Sequence, residues 1–113
     1  MIALDYREVL RLLAINDEHF AEHVADAGST NLDPKTLALV RIGALVAVGG
    51  AVPSYGVEAD AAVSAGATLA EIVDVLLGVV SIVGLPSVVT AAPTLAMALG
   101  YDVDDALEHQ AGG

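Results

Sequence analysis

From Val75 to Tyr101 the chain carries no charged residue, yet Gly78, Gly84, Pro86 and Pro93 interrupt the run. An uncharged stretch of this length can cross a bilayer. The interruptions argue for something else. Proline suits the first turn of a helix, where its missing N–H costs nothing, so the run reads as two buried helices meeting at Leu85-Pro86. No Lys or Arg follows Arg41, so neither flank has the basic anchors of a membrane span. The expectation is no membrane partner.

Burying such helices is harder than forming them. A chain of 113 residues is expected to form a single domain, 1–113. Fifty-six percent of it is apolar, with a mean hydropathy of +0.70. A small domain buries a smaller share of its surface than a large one. The helices over 35–48, 69–83 and 86–99 are apolar on nearly every side, and such helices must be covered on nearly every side. A homo-oligomer with an apolar interface is therefore expected. Four basic residues face fifteen acidic ones, a formal net charge of -11. That balance keeps an apolar chain dissolved and argues against nucleic acid as a partner. There is no cysteine, which excludes disulfides, zinc thiolate sites and thiol redox chemistry. The N-terminal MIALDYREV is charged at Asp5, Arg7 and Glu8 and does not read as a signal peptide. A cytoplasmic location is the expectation.

Helix signals recur along the chain and strand signals do not, so the fold class is all-α, with six to seven helices. Val9, Leu10, Leu12 and Leu13 share one side of a first helix over 4–14. Asn16 is expected to cap a second, 17–27. Asp33-Pro34 is a natural cap and first residue for a third, which stops at Gly49-Gly50. Ser54 is expected to cap a fourth, 55–65. "TLAE", Thr68 to Glu71, reads as a capping box opening a fifth. Pro86 opens a sixth, with Pro93 a kink point. Asp102 opens a short seventh.

The order "LDPKT", an apolar helix, a Gly-rich loop and "VEADAAVSAGATLAEIVDVLLGVVSIVGLPSVVTA" resembles the carboxymuconolactone decarboxylase family, which includes the AhpD-like alkylhydroperoxidases. The resemblance is clearest over 32–99. Its most specific parts are "AGATLAEIVDVLL" and "GLP". It implies an AhpD-like helical bundle assembled as dimers, trimers or hexamers, of which a trimer or hexamer is favoured here. The peroxidase branch has a Cys-x-x-Cys pair followed by a His. Counting back from Ala65-Gly66 places the cysteines at Ala51 and Ser54 and the His at Glu58, while that branch's glutamate on the preceding helix falls near Ala38. All are replaced. Thiol peroxidase chemistry needs a thiolate and a resolving thiol, so alkylhydroperoxidase activity is excluded. The decarboxylase branch lacks the cysteines and keeps the His. It implies loss of CO2 from a lactone acid with no cofactor and no metal.

Glu58 is the candidate catalytic acid/base and Tyr55 a candidate donor in the same pocket. A Glu does such work where an apolar pocket shifts its pKa. The plainer reading makes Glu58 a solvated carboxylate near a helix N-terminus. Ser54 is a candidate substrate contact, although as a nucleophile it lacks a base and a G-x-S-x-G elbow, and a helix cap is the plainer role. Arg41 stands alone in an apolar helix. It reads either as half of a salt bridge or as an anchor for a substrate carboxylate, which the fork of guanidinium donors suits. His19 and His23 have helical i,i+4 spacing, but "HFAEH" lacks the Glu after the first His that a zincin helix has. His109 falls in the C-terminal tail. Met97 and Phe20 read as core filler.

Three functions stay open at this point. One is a cofactor-independent lyase or isomerase acting on a small cyclic, lactone or keto-acid-like compound. Another is a non-catalytic binder of a small apolar or carboxylate-bearing ligand. The last is a structural or accessory oligomeric subunit.

Overall fold

The computed structural model describes residues 5–27 and 30–100, which form six α-helices and, among the described residues, no strand. The helix expected from Asp102 lies outside the described residues. Contacts divide the chain into two units, Met1–Asn31 and Leu32–Gly113.

The first unit holds α1 (Tyr6–Ala14) and α2 (Glu18–Ala27). Asp5 caps α1 by accepting from the Arg7 N–H at 2.8 Å, and the Glu8–Arg11 pair closes at 2.6 Å along its exposed side. The link to α2 differs from the expectation. Asp17, not Asn16, accepts from the Phe20 N–H at 3.0 Å. Asn16 instead takes a positive φ of 53° at the end of α1, a conformation that Asn tolerates better than most residues. Phe20 is half-buried.

The second unit holds α3 (Pro34–Val48), α4 (Val52–Ser64), α5 (Leu69–Val83) and α6 (Leu85–Ala98). Asp33 starts α3 by accepting from both the backbone N–H and the hydroxyl of Thr36, at 2.8 and 2.7 Å. Pro34 follows at the first helical position, where φ is already set for a helix. Gly49 ends α3 in the left-handed region, φ 68°, at little cost because it has no Cβ. The Thr68–Glu71 capping box forms as expected: Thr68 N–H donates to Glu71 at 2.9 Å and Glu71 N–H to Thr68 at 3.1 Å. Lys35 of α3 reaches the same Glu71 at 2.8 Å and ties the starts of α3 and α5 together.

α3 is the hub: it packs on α4, α5 and α6, while α6 also packs on α4 and α5. Its core stripe is Ala38, Ile42 and Val46, one residue per turn. Tyr55, Ala59 and Ala62 of α4 meet it, with Ile72 and Leu76 of α5 and Val88, Ala91 and Leu95 of α6. Ile42, Ile72 and Leu95 are the largest fully enclosed side chains. α5 and α6 are 15 and 14 residues long, about 22 Å each. No helix among the described residues is long and apolar enough to cross a membrane.

Two further expectations fail. α4 does not begin after Ser54: Ala51 is the N-cap, with no side-chain hydrogen bond, and Ser54 already lies in the first turn. Ala51 is extended, with φ -69° and ψ 149°, and Pro53 fits the first turn that follows. Backbone geometry thus outweighs Ser54's capping preference. Met97 is not core filler but 78% exposed, because Ala91 and Leu95 take the inward face of α6. Pro93 lies inside α6, which continues to Ala98.

Ile42 is 0% exposed. Ile42→Ala removes packing that surrounding helices cannot fully recover, and is expected to cost about 2–5 kcal/mol. Urea unfolding followed by circular dichroism, at matched slope, measures it directly.

Candidate functional site

α3 and α4 each turn a second face toward a cleft of about 410 Å³ lined by Arg41, Ala44, Leu45, Pro53, Ser54, Val57 and Glu58. The spacing explains the set. On α3, Arg41, Ala44 and Leu45 are three and four apart and therefore neighbours on one face. On α4, Ser54 and Glu58 are four apart, and Val57 lies between them and Pro53. The cleft face of each helix is offset from its core stripe by roughly the 100° that one residue step turns.

The structure thus brings three of the four candidate residues together and parts the fourth from them. Tyr55 follows Ser54 directly, so it points into the core, 4% exposed. It lines a different cleft, of about 530 Å³, formed by the turn after α3, the start of α4 and one face of α6. Tyr55 makes no hydrogen bond to another described residue, and none of the buried polar side-chain atoms among the described residues lacks a partner. Its hydroxyl is therefore not fully enclosed, and the residue is part of that cleft's wall. Burial pushes its pKa above the ordinary tyrosine value, since a low-dielectric setting disfavours the phenolate.

Arg41 is exposed at the cleft edge and Glu58 is half-buried within it. Neither forms an ion pair with the other or with any described residue. A salt bridge from Arg41 within one chain is thus absent among the described residues. The Ser54 hydroxyl makes no hydrogen bond there either, while its backbone N–H donates to Ala51 O at 3.0 Å. An unpaired guanidinium and an unpaired carboxylate on opposite walls of a partly apolar cleft can do two things. The first can hold an anion by a forked contact. The second can give or take a proton.

Ala38, near which the resemblance would place the peroxidase branch's glutamate, is buried in the core with Ile42 and is not part of this cleft's lining. His19 is exposed on α2; the side chain of His23, and His109, lie outside the described residues. Among the described residues no three His, Asp or Glu side chains converge to hold a metal. Sequence reasoning missed Ser87, Thr90 and Thr94, which line the Tyr55 cleft. Their spacing of three and four was visible as a polar stripe on an otherwise apolar helix.

The Tyr55 shift has a checkable consequence. Folding opposes ionisation of a phenol whose pKa it raises, so Tyr55 keeps its proton past the pH at which it would lose it unfolded. Stability is expected to fall once pH rises above about 10, the ordinary tyrosine value. Tyr55 is expected to ionise late in an ultraviolet absorbance titration. That late component should vanish in Tyr55→Phe.

The family model for the carboxymuconolactone decarboxylase family matches residues 10–96, about three-quarters of the chain. No curated protein and no solved structure matches it. The chain belongs to the carboxymuconolactone decarboxylase family.

Proposed function

We propose that this member of the carboxymuconolactone decarboxylase family is a cofactor-free enzyme that moves a proton at carbon in a small cyclic, lactone or keto-acid-like carboxylate. The observation that carries the reading is the cleft in which Arg41 and Glu58 face a common space without pairing. Arg41 holds a substrate carboxylate through its fork of donors. Glu58 takes a proton from the carbon next to a carbonyl and returns it to the neighbouring position. The apolar surfaces of Leu45 and Val57 hold the ring.

Electrostatics favours an isomerase over a lyase that expels the anchored group. An ion pair with Arg41 stabilises the carboxylate it holds, and loss of CO2 would have to give that up. Decarboxylation through this cleft therefore requires a second carboxyl group, away from Arg41. Thiol peroxidase chemistry is not proposed, since no position supplies a thiolate. The replacement of the family's His and Glu positions by Glu58 and Ala38 favours a second reading, a binder that retains its ligand without turnover.

Both readings are separable by proton exchange. Incubation with small lactone acids in D2O is expected to exchange the hydrogen next to the carbonyl, read by proton NMR. Glu58→Gln should slow exchange by about 10²–10⁴-fold with little change in KM. Arg41→Ala should chiefly raise KM. Retention of a lactone acid with no exchange by the unmodified protein would select the binder.

We further propose that the chain works as a homo-oligomer, with a trimer or hexamer favoured. Supporting this, α5 and α6 leave Leu77, Ile82 and Met97 exposed, Ile82 at 85%. An apolar groove of about 610 Å³ also runs between them, lined by Val73, Val89 and Leu99 among others. Exposed apolar surface on this scale marks association sites. Native mass spectrometry should return a multiple of the 11.4 kDa chain mass; a monomer at micromolar concentration would remove this part of the proposal.

A further inference from the structure

The cleft of about 530 Å³ beside the α3–α4 turn takes no part in the Arg41–Glu58 chemistry. Its volume falls among those of small-molecule sites. Its walls combine apolar residues such as Val46, Pro86 and Ala91 with hydroxyls, and no charged side chain lines it. Ser87, Thr90 and Thr94 fall at i, i+3 and i+7 of α6, so their hydroxyls share a face. Thr90 donates its hydroxyl to the Pro86 carbonyl at 2.9 Å. The hydroxyls of Ser87, Thr94 and Tyr55 bond to no other described residue. Tyr55 is the telling one. Its ring is buried in the core, the residue lines this cleft, and its hydroxyl bonds to no described residue, whereas a buried tyrosine ordinarily finds a partner for that group.

The lining selects the ligand's chemistry. No cationic group is present to hold an anion, and the chain's net charge of -11 repels one. No carboxylate is present to hold a cation. Burial keeps the Tyr55 phenol protonated, so it offers a donor, and its complement is an acceptor oxygen. We propose that this cleft is a second binding site, for a small neutral carbonyl compound with an apolar body, whose oxygen accepts a hydrogen bond from Tyr55 while Ser87 and Thr94 line its polar side.

The test uses the full chain labelled with 15N, titrated with acetophenone and, separately, with benzoate, an anion of similar size. Acetophenone is expected to shift the amides of Gly49, Gly50, Thr90 and Thr94 saturably and to leave Val57 and Glu58 in place. Benzoate is expected to leave the first set unmoved. Tyr55→Phe keeps the ring and removes the donor, and should weaken acetophenone about fivefold to tenfold. The proposal is overturned if acetophenone gives no saturable shift at those four amides, if benzoate shifts them equally, or if Tyr55→Phe binds as tightly as the unmodified chain. Should Tyr55→Phe not fold, the double variant Ser87→Ala/Thr94→Ala replaces it. That variant is expected to weaken binding at least about threefold, and unchanged affinity would overturn the proposal.

Discussion

The stripe Ala38–Ile42–Val46 is the surface on which everything else in the second unit is hung. α3 packs on three other helices, and its inward residues are placed one turn apart so that each partner helix meets the same stripe. Packing of this kind is close to solid-like in density, so the stripe fixes the rotation of α3 about its axis. That rotation puts Arg41 on one flank of the core. The matching stripe on α4, Tyr55–Ala59–Ala62, fixes that helix in the same way and turns Ser54 and Glu58 to the corresponding flank. Neither charged residue needs a partner to hold its place, because the core has already placed both.

This indirect positioning explains what could be read from the sequence. Caps whose side chain bonds to a backbone three residues away are local, and Asp33-Pro34 and Thr68–Glu71 were legible as written. The Gly49 stop was legible because a left-handed residue has a strong preference for glycine. The start of α4 was not. Ser54 outranks Ala51 as a capping residue, yet the helix begins at Val52, since Pro53 and the extended Ala51 settle the geometry first. Asn16 and Asp17 are a similar case, each a fair cap, divided by the positive φ that Asn16 takes.

The site was legible in composition and only partly in arrangement. Arg41 stood out as a lone charge in an apolar helix, and Glu58 through its place in the family pattern. What periodicity did not resolve was the side of the helix wall on which each residue would fall. Ser54 and Tyr55 are adjacent, and one residue step separates a cleft residue from a core residue. Met97 was misjudged for the same reason. On helices apolar all round, hydrophobicity no longer marks the inward face, and only the neighbouring helices decide it.

Glu71 occupies an unusual place among these fastenings. Its carboxylate accepts from the Thr68 N–H that starts α5 and pairs with Lys35 in the first turn of α3. Lys35 first, then the Thr68 N–H, holds its pKa below the ordinary glutamate value. The stabilisation is therefore full at neutral pH and fades as pH falls through that lowered value. Because one carboxylate serves both the Thr68 N–H and the Lys35 ammonium, these two contacts weaken over the same pH range. A proton arriving at Glu71 therefore loosens the tie between α3 and α5, while Asp33 still caps α3 and the Thr68 hydroxyl still accepts from the Glu71 N–H.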